Sequence, residues 1–240
     1  MAPKRRRTTE SENKPVVPNC SSRITRARSS SVKLNNYNSP VVVFAHGAGA
    51  PSSSEWMIRW KNLLADALKA IEVVTFDYPY IAGRKPPPKA EKLVEFHTDV
   101  VKKIASKYPK HPLILIGKSM GSRVSCMVAA ETDLKASAVV CLGYPLKGTK
   151  GAIRDEHLMQ LSVPTMFVQG TKDGLCPLGS LEGVRKKMKA LNTVYVVENG
   201  DHSFKIGKKN LEMAGITHEE VERLAVQAIA TFVSQVTVAK

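Results

Sequence analysis

Two hydrophobic patterns alternate along the chain. Short runs that are apolar at nearly every position, rich in Val, Ile and Leu, fall at 41–45, 73–76, 113–116, 138–142, 165–169 and 194–197. Unbroken apolar runs of this length are expected of strands covered on both faces, where no side chain meets water. Between them lie amphipathic stretches that predict helices over 54–70, 90–107, 120–132, 178–190 and 218–235. Ser52 with Glu55, and Thr217 with Glu220, have the spacing of a capping box at the first and last of these. Regular strand–helix alternation with short links predicts an α/β fold: a mostly parallel central sheet with helices on both faces.

The pattern begins only at Pro40. Residues 1–38 are rich in Ser, Thr, Asn, Pro and Arg, and cannot bury enough apolar surface to offset their ordering entropy. They are expected to form a disordered basic tail, with a single domain over 39–240. Residues 1–40 carry nine Lys or Arg and two acids, nearly half of the net charge of +15. Pro3-Lys4-Arg5-Arg6-Arg7 is a compact basic run of the kind read by nuclear import machinery. A cytoplasmic or nuclear location is therefore expected, with organelle import the alternative that the Arg/Ser-rich stretch 21–31 suggests. The tail has one Tyr and no Trp or Phe, so no specific nucleic-acid binding is expected. No run approaches the roughly 18 apolar residues of a membrane span. The four cysteines form no C-x-x-C pair, which reads as reduced structural thiols rather than a metal site.

Chemistry in a parallel sheet sits beyond the carboxyl ends of the strands. Four loops follow strands there: His46-Gly47-Ala48-Gly49-Ala50, Gly117-Lys118-Ser119-Met120-Gly121, Gly170-Thr171-Lys172-Asp173-Gly174 and Asn199-Gly200-Asp201-His202-Ser203. The second is a G-x-S-x-G turn between a strand and a helix, which lifts a serine above the sheet. A serine hydroxyl needs a base, and the base needs a group to orient it. His202 is the candidate base and Asp173 the candidate orienting acid; Asp201, adjacent to the imidazole, is poorly placed for that task. Singly, Ser119 and His202 read equally well as turn or surface residues, and Asp173 reads better as a turn residue than as an acid; their order and their shared position after strands join them. The backbone N–H groups of Ala48 and Met120 are the candidate oxyanion donors. His46 is read as a support for its turn, and Arg123 as a packing or ion-pairing residue with an anionic substrate as the alternative. Lys118 either favours anionic substrates or snorkels to water.

The runs "VVVFAHGAGAPSSSEWM", "FDYPYIAGRKPPPKAEKL", "LILIGKSMGSRVSCMVA", "CLGYPLKGTKG", "VPTMFVQGTKDGLC" and "NGDHSFK" resemble an α/β-hydrolase-like family. That family includes testis-expressed protein 30 and the third subunit of the NSL histone-acetyltransferase complex; the dienelactone hydrolases are a more distant likeness. The resemblance implies an α/β-hydrolase fold with a serine nucleophile at Ser119, partnered by Asp173 and His202. It implies no particular substrate. Many α/β-hydrolases insert a lid after the strand at 138–142. Here only about twenty residues separate Leu142 from Pro164, with a short helix expected near 154–161, so no lid domain is expected. An open site suits a small ester, a thioester or a short peptide-like acyl substrate better than a long-chain lipid. The proline-stiffened basic stretch 83–89 reads as a solvated connection, with a pocket border or a partner site as alternatives. The expected function is a cofactor-independent serine hydrolase. The alternative is a catalytically silent interaction module that binds a nuclear protein partner through the tail or the open face.

Overall fold

The computed structural model describes residues 39–130, 134–148 and 151–238; the basic stretch 1–38, with its expected disorder and import signal, lies outside the described residues. Six strands, β1 (Val41–Ala45), β2 (Glu72–Phe76), β3 (Leu113–Lys118), β4 (Ala138–Leu142), β5 (Thr165–Gly170) and β6 (Asn192–Val197), form one sheet in the order β2-β1-β3-β4-β5-β6. All five pairings are parallel. β3 runs two residues past its apolar run, because Gly117 and Lys118 stay in register with Cys141 and Leu142.

Among the described residues, eight α-helices pack with the sheet: α1 (Glu55–Leu68), α2 (Pro79–Ala82), α3 (Val94–Lys107), α4 (Met120–Ala130), α5 (Glu156–Gln160), α6 (Leu178–Arg185), α7 (Lys208–Ala214) and α8 (His218–Val238). Each strand divides its side chains between two cores. Val41, Val43 and Ala45 of β1 join one cluster with Val101, Ile104, Val124 and Met127 of α3 and α4. Val42 and Phe44 join the other with Trp60 and Leu64 of α1 and Ile229 and Val233 of α8. Burial on both faces is why the inner strands are apolar throughout; each fully buried Val, Leu, Ile or Phe contributes about 1.5–3 kcal/mol. The edge strands β2 and β6 are only half buried.

Several boundaries differ from the sequence expectation. The stretch at 90–107 is split, with a 3₁₀ turn over Ala90–Leu93 preceding α3. α6 stops at Arg185, where the Asn192 side-chain amide donates to the Arg185 carbonyl at 3.2 Å and its oxygen accepts from Arg185 Nε at 3.0 Å. Ser52 and Glu55 make no capping box. Ser54 occupies the cap position, which puts Glu55 in the first helical position, and the Ser52 N–H donates instead to Asp77 Oδ1 at 2.6 Å. At α8 the expected box forms: Thr217 N–H donates to Glu220 Oε2 at 2.7 Å and Glu220 N–H to Thr217 Oγ1 at 3.2 Å. Between β4 and β5 the described residues hold only an antiparallel bridge, Lys147 with Ile153, and the five-residue α5; no lid domain is built from them.

Candidate active site

β3 ends against a turn held from several sides. Ser119 has φ 51°, a left-handed conformation uncommon for a residue with a side chain. Its N–H donates to Leu142 O at 2.9 Å, and its carbonyl accepts Ser122 Oγ at 2.6 Å and Ser122 N–H at 3.0 Å as α4 begins. Gly121 makes this possible: a Cβ there would lie 2.5 Å from His46 O and 2.6 Å from Ala45 O, inside the end of β1. The sharp turn leaves the Ser119 hydroxyl at the carboxyl edge of the sheet.

The β1 turn is fixed by a buried histidine. His46 Nδ1–H donates to Gly47 O at 2.6 Å and its Nε2 accepts the Tyr78 N–H at 3.1 Å, so the ring is neutral; burial pulls its pKa down. Tyr80, on α2, donates its hydroxyl to Ala48 O at 3.2 Å. His46 thus supports the turn, as its sequence context suggests, and Tyr80 is an additional brace.

The structure brings Ser119, His202 and Asp173 into one hydrogen-bonded row. His202 Nε2 lies 2.8 Å from Ser119 Oγ, and His202 Nδ1 lies 2.7 Å from Asp173 Oδ2. Asp173 is buried, and also accepts the Leu175 N–H at 2.8 Å on Oδ1 and Gln169 Nε2 at 2.5 Å on Oδ2. Burial pushes the carboxyl pKa up, but the hydrogen bond and charge of His202, with the Leu175 and Gln169 donors, outweigh it and hold the group below the usual carboxylate range. Asp201 takes no part: its Oδ1 accepts the N–H groups of Ser203 and Lys205 at 2.7 and 2.9 Å and closes its own loop. A serine so placed can pass its proton to the imidazole, and a buried anion beside Nδ1 stabilises the cation that results.

Lys118 does not snorkel. It is 8% exposed, and its Nζ donates to His202 O while lying 5.3 Å and 5.6 Å from the ring centres of Phe204 and Trp56. Burial lowers its pKa to about 8, against the opposing pull of Asp173 and Asp201. Gly143, at φ 64°, lets the His202 loop approach, since a Cβ there would lie 2.9 Å from His202 O. The lysine thereby fastens the loop that carries the imidazole. Phe204, fully buried and at φ 65°, anchors the same loop against Trp60.

Two cavities meet at Ser119. One, of about 390 Å³, is lined by Trp56, Met57, Lys118, His202 and the 47–50 turn. The other, of about 500 Å³, is lined by Pro87, Lys89, Glu91, Met120, Arg123 and Arg154 among others. Ala48, Ser119 and Leu175 border both. Of the two candidate oxyanion donors, Ala48 borders both cavities and Met120 borders the second. Of the stretch 83–89, Pro87, Pro88 and Lys89 border the second cavity. Arg123 is ion-paired with Glu91 at 3.1 Å. Arg154, Gln169 and Leu175 are the site residues that sequence reasoning missed. Among the described residues no three His, Cys, Asp or Glu side chains gather as a metal site would.

A family model described as the alpha/beta hydrolase domain matches residues 38–234. The chain belongs to the α/β-hydrolase family. Among solved structures it is similar to a dienelactone hydrolase from Anabaena variabilis, at 17% identity and a TM-score of 0.61, covering 80% of this chain and 86% of that one. An α/β serine hydrolase homologue from Coxiella burnetii is 20% identical with a TM-score of 0.57, over 78% of this chain and 85% of that one. A Xanthomonas campestris protein described as an α/β serine hydrolase without lid is 16% identical with a TM-score of 0.58, over 80% and 81% of the two chains. At these identities the likeness is one of fold. The lidless α/β-hydrolase architecture matches the fold read from the sequence, and among the described residues no helix is long and apolar enough to cross a membrane.

Proposed function

We propose that this α/β-hydrolase is a serine hydrolase acting on a small carboxylic ester or thioester, with Ser119 as nucleophile, His202 as general base and acid, and Asp173 as the orienting carboxylate. The observation that carries the reading is the 2.8 Å contact between His202 Nε2 and Ser119 Oγ with open cavities on both sides of the serine. Ser119 Oγ attacks the acyl carbon as its proton moves to His202 Nε2. The carbonyl electrons move onto oxygen, which the N–H groups of Ala48 and Met120 receive. As the carbonyl re-forms, the bond to the leaving oxygen or sulfur breaks, and His202 gives that atom its proton. Water, deprotonated by His202, then cleaves the acyl-enzyme to release the acid and restore Ser119. A dienelactone hydrolase and a serine hydrolase homologue among the similar folds support this choice of chemistry.

The narrower grouping with testis-expressed protein 30 and the NSL third subunit rests on the quoted motifs and belongs to the same proposal. So does a cytoplasmic or nuclear location, which rests on the basic run at 3–7. The test of the chemistry is labelling by a fluorophosphonate probe. Wild type is expected to label, and Ser119→Ala and His202→Ala are not. A folded, monodisperse wild type that fails to label would overturn the reading.

A further inference from the structure

The two cavities at Ser119 differ in charge. The His202 side is walled by Trp56 and Met57, and its one basic group, Lys118, is already committed to a backbone carbonyl. The other side carries Lys89, Arg123 and Arg154 against the single carboxylate of Glu91. Arg123 pairs with Glu91 through one nitrogen, and its buried Nε has no hydrogen-bond partner among the described residues. Among the described residues the Arg154 guanidinium donates one hydrogen bond, to the Pro145 carbonyl at a long 3.3 Å. Burial lowers the Arg154 pKa, the nearby charge of Arg123 acts in the same direction, and Tyr144 and Glu91 oppose them. The segment that presents Arg154 is built: Tyr144 donates its hydroxyl to Arg154 O at 2.8 Å, and Arg154 N–H donates to Leu146 O at 2.8 Å.

Reaction geometry tells the two sides apart. His202 must protonate the departing atom, so the leaving group lies on the His202 side. The acyl chain then extends along the side bordered by Met120, toward the arginines.

We infer that the preferred acyl group ends in a carboxylate, seated between Arg123 and Arg154, and that the leaving group is neutral and apolar, resting against Trp56. The substrate is then a half-ester or half-thioester of a dicarboxylic acid. This rests on the serine-hydrolase reading above. A carboxylate facing planar guanidinium donors gains charge-assisted hydrogen bonds that a methyl group cannot make, which corresponds to a preference of about tenfold or more.

The experiment compares methyl half-esters of the straight-chain diacids from succinate to suberate with the methyl esters of the monoacids of equal length. For at least one length, kcat/KM for the half-ester is expected to exceed that for the neutral ester about tenfold, mainly through KM. Arg154→Gln is expected to collapse that ratio, and Arg154→Lys to restore part of it. Glu91→Gln, which removes the competing carboxylate, is expected to raise the ratio. A structural role for these residues predicts no change of that sign, and Glu91 is exposed enough to be replaced even if Arg154→Gln fails to fold. Hydrolysis of neutral esters with no half-ester preference at any length would overturn this inference alone, as would a ratio indifferent to both Arg154→Gln and Glu91→Gln. No turnover of either series together with no fluorophosphonate labelling would overturn the serine-hydrolase reading and this inference with it.

Discussion

Asp173→Asn offers a sharp test of the Ser119–His202–Asp173 row, because the surrounding hydrogen bonds dictate which way the new amide must point. Oδ1 accepts the Leu175 N–H, a backbone donor that cannot reverse. The asparagine oxygen must therefore stay at that position, and its NH₂ must replace Oδ2. There it meets two donors, His202 Nδ1–H and Gln169 Nε2. Gln169 can turn its amide over, since its Oε1 is buried with no partner among the described residues and can accept the new NH₂. His202 can only respond by losing the proton from Nδ1. The imidazole then carries its proton on Nε2, pointing at Ser119, and cannot act as a base in that tautomer. The shape of the site survives while its proton inventory is wrong. The corresponding change in serine proteases lowers kcat by about 10⁴, which is about 5 kcal/mol of barrier. Second-order labelling constants with the fluorophosphonate, measured beside thermal unfolding, give the answer. A labelling constant within about tenfold of wild type in a folded Asp173→Asn protein would refute the argument.

Three further outcomes are expected. Lys118 has a folded pKa of about 8 against an ordinary 10.5, so between those values the unfolded chain binds the extra proton and stability rises with pH; wild type is expected to gain about 3 kcal/mol relative to Lys118→Met across that window, read from urea midpoints at a series of pH values. Glu222 on α8 is 4% exposed and its carboxylate is held by Arg59 Nε at 2.7 Å and Trp60 Nε1 at 3.1 Å; Arg59→Met is expected to cost about 2 kcal/mol, toward the low side for a broken buried pair because Arg59 itself is partly exposed, and Glu222→Gln in that background is expected to recover part of it in chemical denaturation. Gly121→Ala drives a methyl group to 2.5 Å from His46 O; unfolding curves are expected to show a loss of about 1–3 kcal/mol or more, and labelling of Ser119 is expected to vanish with it.

The inner strands were readable because a strand buried on both faces has no polar position to interrupt it, as Val41–Ala45 shows. The same signal is silent where burial is partial. α7, Lys208–Ala214, has no buried residue and so no apolar period, and α2, Pro79–Ala82, is a single turn. The proposed nucleophile, base and acid could be picked out together because each follows a strand whose end the hydrophobic run marks. Lys118 could not be understood that way. A lysine ending an apolar strand looks bound for solvent, and only the arrival of Trp56 and Phe204, both distant in sequence, turns it inward. Arg154 was invisible for a similar reason: its position depends on the bridge between Lys147 and Ile153 and on Tyr144, none of which has a local sequence signature.

The strand order has a bearing on how the protein is made. Ser119 follows β3, near the middle of the sheet, while His202 lies 83 residues later, beyond β6 at the sheet's far edge. At roughly 5–20 residues per second, a ribosome releases the serine about four to seventeen seconds before the histidine. Through that interval the elbow lacks its proposed base. β6 pairs with β5 alone, so the proposed reactivity waits on the last strand of the sheet to be synthesised. A chain stalled or cut before that point carries the proposed nucleophile without its proposed base.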